Sequence, residues 1–494
     1  MSIESLPLFL VLFSILCTVI TLILTTNYSR KSSKLPPGPF QYPIIGNIFE
    51  LGSQPHRSLA KLSQKYGPVM SLKLGSITSI IISSPETAKS VLQKHDSVFS
   101  SRTVPASLQS VHHHKFSMGW LPDDNQWRKL RKISKEQMFS VQSLNASQEL
   151  RMEKLQKLGD YVQECSETGR VVDIGDAAFT TSLNLMSGTL FSAEFAQFDS
   201  DSSQEMKDVF WGVMKCIGTP NFADYFPVLR VADPQGILRE IKFYFQKLFD
   251  IFDDIIDGKL KSRGEQKSHD LVEALIDINQ RDEAELSRKD IKHLLLDLFV
   301  AGTDTTSTTV EWAMSELLRN PEKLSRVRDE ITDLVGKDGQ IQESDISQLP
   351  YLQAVVKETF RFHPPAPFLA PHKAKADVEI NGYIIPKNAQ ILVNVWASGR
   401  DPNVWPNADS FVPERFLDSN FDQIDFRGND FELIPFGAGR RICPGLPLAY
   451  RMVHLMLVTL VHKFSWKLEK MDMNEKFGLT LQKAVPLRAT PTKL

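Results

Sequence analysis

Ten residues near the C-terminus, Phe436-Gly437-Ala438-Gly439-Arg440-Arg441-Ile442-Cys443-Pro444-Gly445, bring together a thiol, two cations, an aromatic ring and glycines. A thiol becomes a soft metal ligand as the thiolate. Cys443 stands just ahead of an apolar, helix-like run from Leu448 to Val461, and a helix N-terminus favours negative charge. Gly437 and Gly439 would let the backbone lie flat against a large planar group. Arg441 could then meet an acid group on it, and Phe436 could shield the sulfur from water. An isolated cysteine is ordinarily a small buried hydrophobe; the surrounding pattern is what singles this one out. A second stretch, Ala301-Gly302-Thr303-Asp304-Thr305-Thr306, sets an acid beside alcohols. Asp304 and Thr305 are the types needed to supply protons to a reacting oxygen and to hold it. Spacing alone also allows Asp304 on a solvent face and Thr305 in the core.

The elements that must carry these groups read mostly as helices. Ser287, with Asp290 three positions on, is an N-cap for a helical pattern that reaches Asn320 and is ended by Pro321. A threonine in its middle that bonds back one turn would loosen the ladder and open a groove. Trp127 and Arg131 share one helical face, as do Glu358 and Arg361. Strands are expected at Val69–Leu74 and Ser79–Ser83 around Gly75-Ser76, at Gln390–Val395, and on both sides of Asn381-Gly382. The fold class is mainly α with a minor β portion.

The chain has 494 residues, 42% of them hydrophobic, and no internal repeat or flexible linker, which favours one large domain. A net charge of -2 gives no support to a nucleic-acid partner. The 4 cysteines are too few and too scattered for a disulfide framework, which points to a reducing compartment. Leu6 to Leu24 is apolar enough to cross a thin bilayer, with Glu4 before it and Arg30, Lys31 and Lys34 after it, so the body should face the cytosol. A cleaved signal would have a shorter apolar region preceded by positive charge. Leu35-Pro36-Pro37-Gly38-Pro39 is a stiff spacer. The expected organisation is a membrane anchor over 1–30, a basic and proline-rich hinge over 31–40 and a catalytic domain over 41–494. His112-His113-His114 lacks the spacing of a metal site.

The Phe436–Gly445 loop resembles the haem-binding loop of the cytochrome P450 family, and the resemblance extends over nearly the whole chain. It implies a cytochrome P450 fold preceded by an N-terminal transmembrane helix, and haem b with Cys443 as the axial thiolate that pushes electron density toward O–O cleavage. It places Trp127, Arg131, Arg441 and His372 toward the haem propionates, although many members have arginine where this chain has His372, and Phe436 beside the sulfur. Asp304 matches the family's proton relay and Thr305 the alcohol that holds dioxygen. Glu358, Arg361 and Arg415 match a buried structural network. Val300, Ala301, Phe368, Leu369, Leu479 and parts of Leu108 to Met118 fall near substrate, and His112–His114 fall in the loop that roofs the pocket, facing pocket or solvent. The cations Arg128, Lys129, Lys132 and Lys135 lie on the face that meets an acidic flavoprotein, the NADPH–cytochrome P450 reductase.

Pro220–Pro227, Asp233–Gly236 and Phe477–Ala484 resemble a plant microsomal subfamily that oxidises terpenoids. Some of its members hydroxylate abietane diterpenes on the ferruginol and carnosic acid route, and others hydroxylate geraniol; Lys135–Ser140 leans toward the diterpene branch. The implied enzyme is an NADPH- and O2-dependent monooxygenase, single-pass in the endoplasmic reticulum membrane. Two other classes share a thiolate-haem loop. A peroxide isomerase or dehydratase needs no external protons, so the Asp304-Thr305 pair counts against it; a non-catalytic haem protein would show no coupled substrate oxidation.

Overall fold

The computed structural model describes residues 34–199, 204–262, 270–282 and 285–494, together with Ser14 and Thr18. Apart from those two, the anchor expected at Leu6–Leu24 and the cations Arg30 and Lys31 lie outside the described residues. Among the described residues no helix is long and apolar enough to cross a membrane.

A helix of 32 residues, Arg288–Arg319, runs through the core, and its ends are set by local chemistry. Ser287 and Asp290 form a reciprocal capping box, and Asn320 closes the other end ahead of Pro321. Most of its central residues are buried, and the Ile174–Phe191 helix lies along it. Gly302 permits that approach: a Cβ there would sit 2.6 Å from Met186 Sδ. Thr303, Thr305 and Thr306 each donate a hydroxyl to the carbonyl one turn earlier. The helix stays α-helical throughout.

Beside this helix lie Leu446–His462, with the cysteine loop at its N-terminus, and Pro350–Phe362, which carries Glu358 and Arg361. The main sheet runs in the order Val69–Leu74, Ile77–Ile82, Gln390–Val393, His372–Lys373, Ser101–Arg102. Only the Ile77–Ile82 and Gln390–Val393 pair is parallel; the others are antiparallel. The first hairpin turns on Gly75-Ser76 alone, so Leu74 pairs directly with Ile77 and the second strand starts two residues before the expected Ser79. The strand expected to reach Val395 stops at Val393, because the Asn394 side chain caps a short helix over Val395–Ser398. Asn381 and Gly382, both at positive φ, turn the Val378–Ile380 and Tyr383–Ile385 hairpin. The proline-rich segment is fastened to the body: Pro37 O accepts from Ser71 N at 2.8 Å, and Lys34 O accepts from Ile384 N at 2.7 Å.

Candidate functional site

Cys443 is exposed while most of its neighbours in the fold are not. Protein still surrounds it, and this enclosure pushes its thiol up from the ordinary value, against the N–H groups of Gly445 and Leu446 and the charge of Arg131. The N–H groups at the start of the following helix oppose that rise and favour the thiolate, as the position of Cys443 suggested. The loop is shaped by its neighbours. Cys443 N donates to Phe436 O at 2.9 Å, and the Phe436 ring packs edge-on against Phe360 at 5.1 Å. Gly437 and Gly439 both have positive φ, for different reasons. A Cβ on Gly437 would meet only Leu369, at 3.8 Å, which leaves that face of the loop open to a planar group. A Cβ on Gly439 would collide with the Leu92 carbonyl, so this glycine serves packing within the protein and not a cofactor surface.

Next to the loop stands a cluster of arginines. The Asn125–Ser134 helix, capped by Asp124, presents Trp127 and Arg131, with the Arg131 guanidinium 5.8 Å from the Trp127 ring centre. Arg441 lies 4.3 Å over the same ring and donates to the carbonyls of Ser100 and Leu121, at 2.8 and 2.5 Å. Arg131 donates to the Ile442 carbonyl. Arg102 joins them from the sheet: one of its terminal nitrogens donates to Ala370 O at 2.6 Å, while its buried Nε has no acceptor. Burial, followed by the charges of Arg441 and Arg131, pushes Arg102 down to about 9, and none of the three is ion-paired to a carboxylate among the described residues. Buried cations without an anion are costly. A planar ligand carrying two acid groups, held beneath by a thiolate, fits this donor set.

His372 stands in the same cluster. Its Nδ1 donates to Phe99 O at 2.7 Å, and burial with Arg102 and Arg441 nearby holds the ring well below its usual range. The remaining Nε2 is an acceptor, and meets an acid group as a donor only by taking a second proton.

Asp304 is fully buried, and its carboxylate faces a hairpin far along the chain. Thr480 Oγ1 donates to its Oδ2 and Gln482 Nε2 to its Oδ1, the latter at 2.9 Å. Burial pushes its carboxyl up to about 6 against these two donors. Solvent does not reach it directly, which rules out the alternative of Asp304 on a solvent face. Thr305 is partly exposed and donates to Ala301 O at 2.8 Å; Ala301 itself is exposed in mid-helix.

Glu358, Arg361 and Arg415 meet in the interior. Arg361 donates to Glu358 through Nε and a terminal nitrogen at 2.7 and 2.8 Å, and Arg415 approaches the same carboxylate at 3.2 Å. Phe368, Leu369 and Leu479 line an open, mostly apolar cavity of about 650 Å³. Val300, expected there, is packed in the core instead, on a part of the central helix that neighbouring helices cover. Leu108 is likewise core, and of Leu108–Met118 only Gln109 lines this cavity. His113 lies neither in the pocket nor in solvent: it is buried, with Nδ1 2.7 Å from His293 Nδ1 and Nε2 2.9 Å from Asp297, because His293 and Asp297 of the central helix offer it polar partners. Arg128, Lys132 and Lys135 are exposed; Arg128 pairs with Asp123 and Lys132 with Glu136, while Lys129 donates to the Glu285 carbonyl.

Arg102, Thr480 and Gln482 escaped the sequence reading. Their partners lie 268, 176 and 178 residues away, where no local spacing can signal the contact.

A family model described as "Cytochrome P450" matches residues 36–492. The chain is 59% identical over 473 residues to "Cytochrome P450 76T24" of Catharanthus roseus, covering 94% of each chain. It is 49% identical over 498 residues to a ferruginol synthase of Salvia miltiorrhiza, covering 99% of each. To a geraniol 8-hydroxylase of Catharanthus roseus it is 51% identical over 473 residues, covering 94% of this chain and 95% of that one. With a match of this extent and a thiolate loop set beside anion-seeking arginines, the chain belongs to the cytochrome P450 family, monooxygenases that use haem b with an axial cysteine thiolate.

Proposed function

We propose that this monooxygenase hydroxylates a hydrophobic terpenoid, an abietane-type diterpene before a geraniol-type alcohol, from the cytosolic face of the endoplasmic reticulum membrane. The observation that carries the substrate class is the apolar cavity of about 650 Å³, roomy enough for fused rings, in a chain about half identical to relatives named ferruginol synthase and geraniol 8-hydroxylase.

Haem, when bound, supplies the reductive activation of O2 that places one oxygen atom in a C–H bond and the other in water. The protein's part is to hold, shield and protonate. Cys443 would ligate the iron, while Trp127, Arg131, Arg441, Arg102 and His372 would hold the acid groups. Asp304 would give up a proton from its carboxyl, and Thr305 would present its hydroxyl beside Ala301. Phe368, Leu369 and Leu479 would orient the substrate by shape. Arg128, Lys132 and Lys135 would steer the reductase that brings NADPH-derived electrons.

A single-pass anchor over 1–30 and a hinge over 31–40 belong to this reading. Its support in the body is an apolar surface: Phe40, Tyr42, Ile44 and Phe49 are exposed, as are Phe222, Val228 and Val231. Both groups adjoin the Gly75-Ser76 turn, where Gly75 N donates to Ile45 O and Ser76 N to Tyr225 O. Such a patch suits a lipid surface.

Microsomes holding the protein and a reductase, incubated with diterpenes and monoterpenols and read by mass spectrometry, test the proposal. A hydroxylated abietane formed only with NADPH is the expected product; turnover of geraniol alone would overturn the diterpene choice, and no terpenoid product would overturn the class.

A further inference from the structure

Both oxygens of the Asp304 carboxyl are engaged by donors from one short hairpin, Glu475–Lys476 paired with Gln482–Lys483. Its tip carries Leu479 into the cavity, and its returning arm is fixed from several sides. Trp312 Nε1 donates to Leu481 O at 2.9 Å, Leu481 N donates to Pro365 O at 2.8 Å, and Gly218 admits the Leu479 backbone at a distance no Cβ would allow. Thr480 and Gln482 are therefore held in place independently of Asp304.

The two donors differ in kind. An amide nitrogen can only donate, whereas a hydroxyl can donate or accept. A carboxyl that cycles between charged and neutral forms needs a partner able to follow the change at the oxygen that carries the proton. We propose that Thr480 and Gln482 are positioning residues for Asp304: Gln482 keeps Oδ1 the unprotonated oxygen, so the proton is held on Oδ2 against the Thr480 hydroxyl, which turns from donor to acceptor. Thr480 loses no proton; only the O–H bond of Oδ2 forms and breaks. The inference rests on the reading of Asp304 as a proton donor.

The carboxyl stands at about 6, where both forms are populated near neutrality. Its charged surroundings are Glu311 on the same helix and, around Glu311, Lys483 of the hairpin and Asp173 at the start of the Ile174–Phe191 helix. These set a background that substitutions at 480 leave in place.

The test uses the resting haem protein and a reconstituted turnover assay. Infrared difference spectra against pH, with Asp304→Asn subtracted to assign the carboxyl band, give the protonation midpoint. Thr480→Val removes a donor from the charged form, so the midpoint should rise by about one pH unit. Product per NADPH should fall by about tenfold, as in Asp304→Asn, and Thr480→Ser should restore both. If Asp304→Asn lowers the yield while Thr480→Val changes neither midpoint nor yield, this proposal fails alone. If Asp304→Asn yields as the parent does, the proton-donor reading fails and takes this one with it. Should Thr480→Val not hold haem, the parent's band decides: a hydrogen-bonded acid supports the proposal, and a free one overturns it.

Discussion

Arg102 and His372 stand opposite each other in the antiparallel pair of strands that flanks the cysteine loop, and only Arg102 keeps a positive charge at neutral pH. The positive charge that His372 lacks is thus supplied from the neighbouring strand by Arg102, with a buried Nε still free to donate. Arg102→Leu should loosen haem by about tenfold or more, since charge-assisted bonds to a carboxylate are among the strong ones. His372→Asn should cost less. The rate of haem transfer to an acceptor protein measures both, and equal effects would remove the special place of Arg102.

Glu358 is fully buried between Arg361 and Arg415, and also accepts from Val412 N at 2.6 Å. Glu358→Gln leaves two buried guanidinium groups without their anion, a change worth about 3–5 kcal/mol. Because Phe360, two residues on, supports Phe436 of the cysteine loop, the loss should reach the haem site. The expected outcome is a protein with little or no reduced carbon monoxide band. A normal band at normal yield would show that the network does not support the loop.

These two sites mark what can be read from the chain. Glu358 and Arg361 share a helical turn, and the Ser287–Asp290 cap and the Asn381-Gly382 turn are equally local, so their spacing is visible in the sequence. Arg102 against His372, Thr480 against Asp304 and His113 against His293 are pairings set by packing of whole elements, which no spacing records. Gly439 is a middle case: that the loop wants a glycine there is legible, but its reason, the Leu92 carbonyl that forbids a side chain, is not.

Thr305 has one hydroxyl proton, and in the structure it is donated to Ala301 O, leaving lone pairs toward the exposed face of the helix. Thr305→Ala keeps the helix and the cysteine loop, so haem content should be unchanged. NADPH should still be consumed, with hydrogen peroxide replacing most of the product. Measuring product and peroxide per NADPH decides it; a parent-like product yield would exclude the assigned role.

Gly302 and Gly258 are both helical, with opposite expectations for alanine. At Gly302 the new Cβ meets Met186 Sδ at 2.6 Å, whereas at Gly258 nothing lies within 4 Å. Gly302→Ala should cost up to about 2 kcal/mol net, overpacking against Met186 outweighing the helix-propensity gain. Gly258→Ala should gain up to about 1 kcal/mol from helix propensity. Adding Met186→Ala to Gly302→Ala should recover part of the loss, a coupling that thermal unfolding of the four proteins would reveal.

His293 gives the acid side of the stability profile. Asp297 accepts from His113 Nε2, so His113 Nδ1 accepts from His293 Nδ1, and the His293 ring packs against Phe116 and Phe249, at 5.0 and 4.8 Å between ring centres. Burial, with His113 beside it, pushes His293 down to about 3. A histidine whose folded value lies below its unfolded value near 6.5 favours the fold while neutral. Its contribution is therefore complete above pH 6.5 and is lost as the pH falls toward 3, by about 3 kcal/mol at pH 4. His293→Phe should flatten that acid limb while leaving the neutral and alkaline limbs in step with the parent, once the lost hydrogen bond to His113 is counted as a constant offset. Denaturant unfolding at a series of pH values measures it, and an unchanged slope between pH 6 and 4 would assign the acid sensitivity to another group.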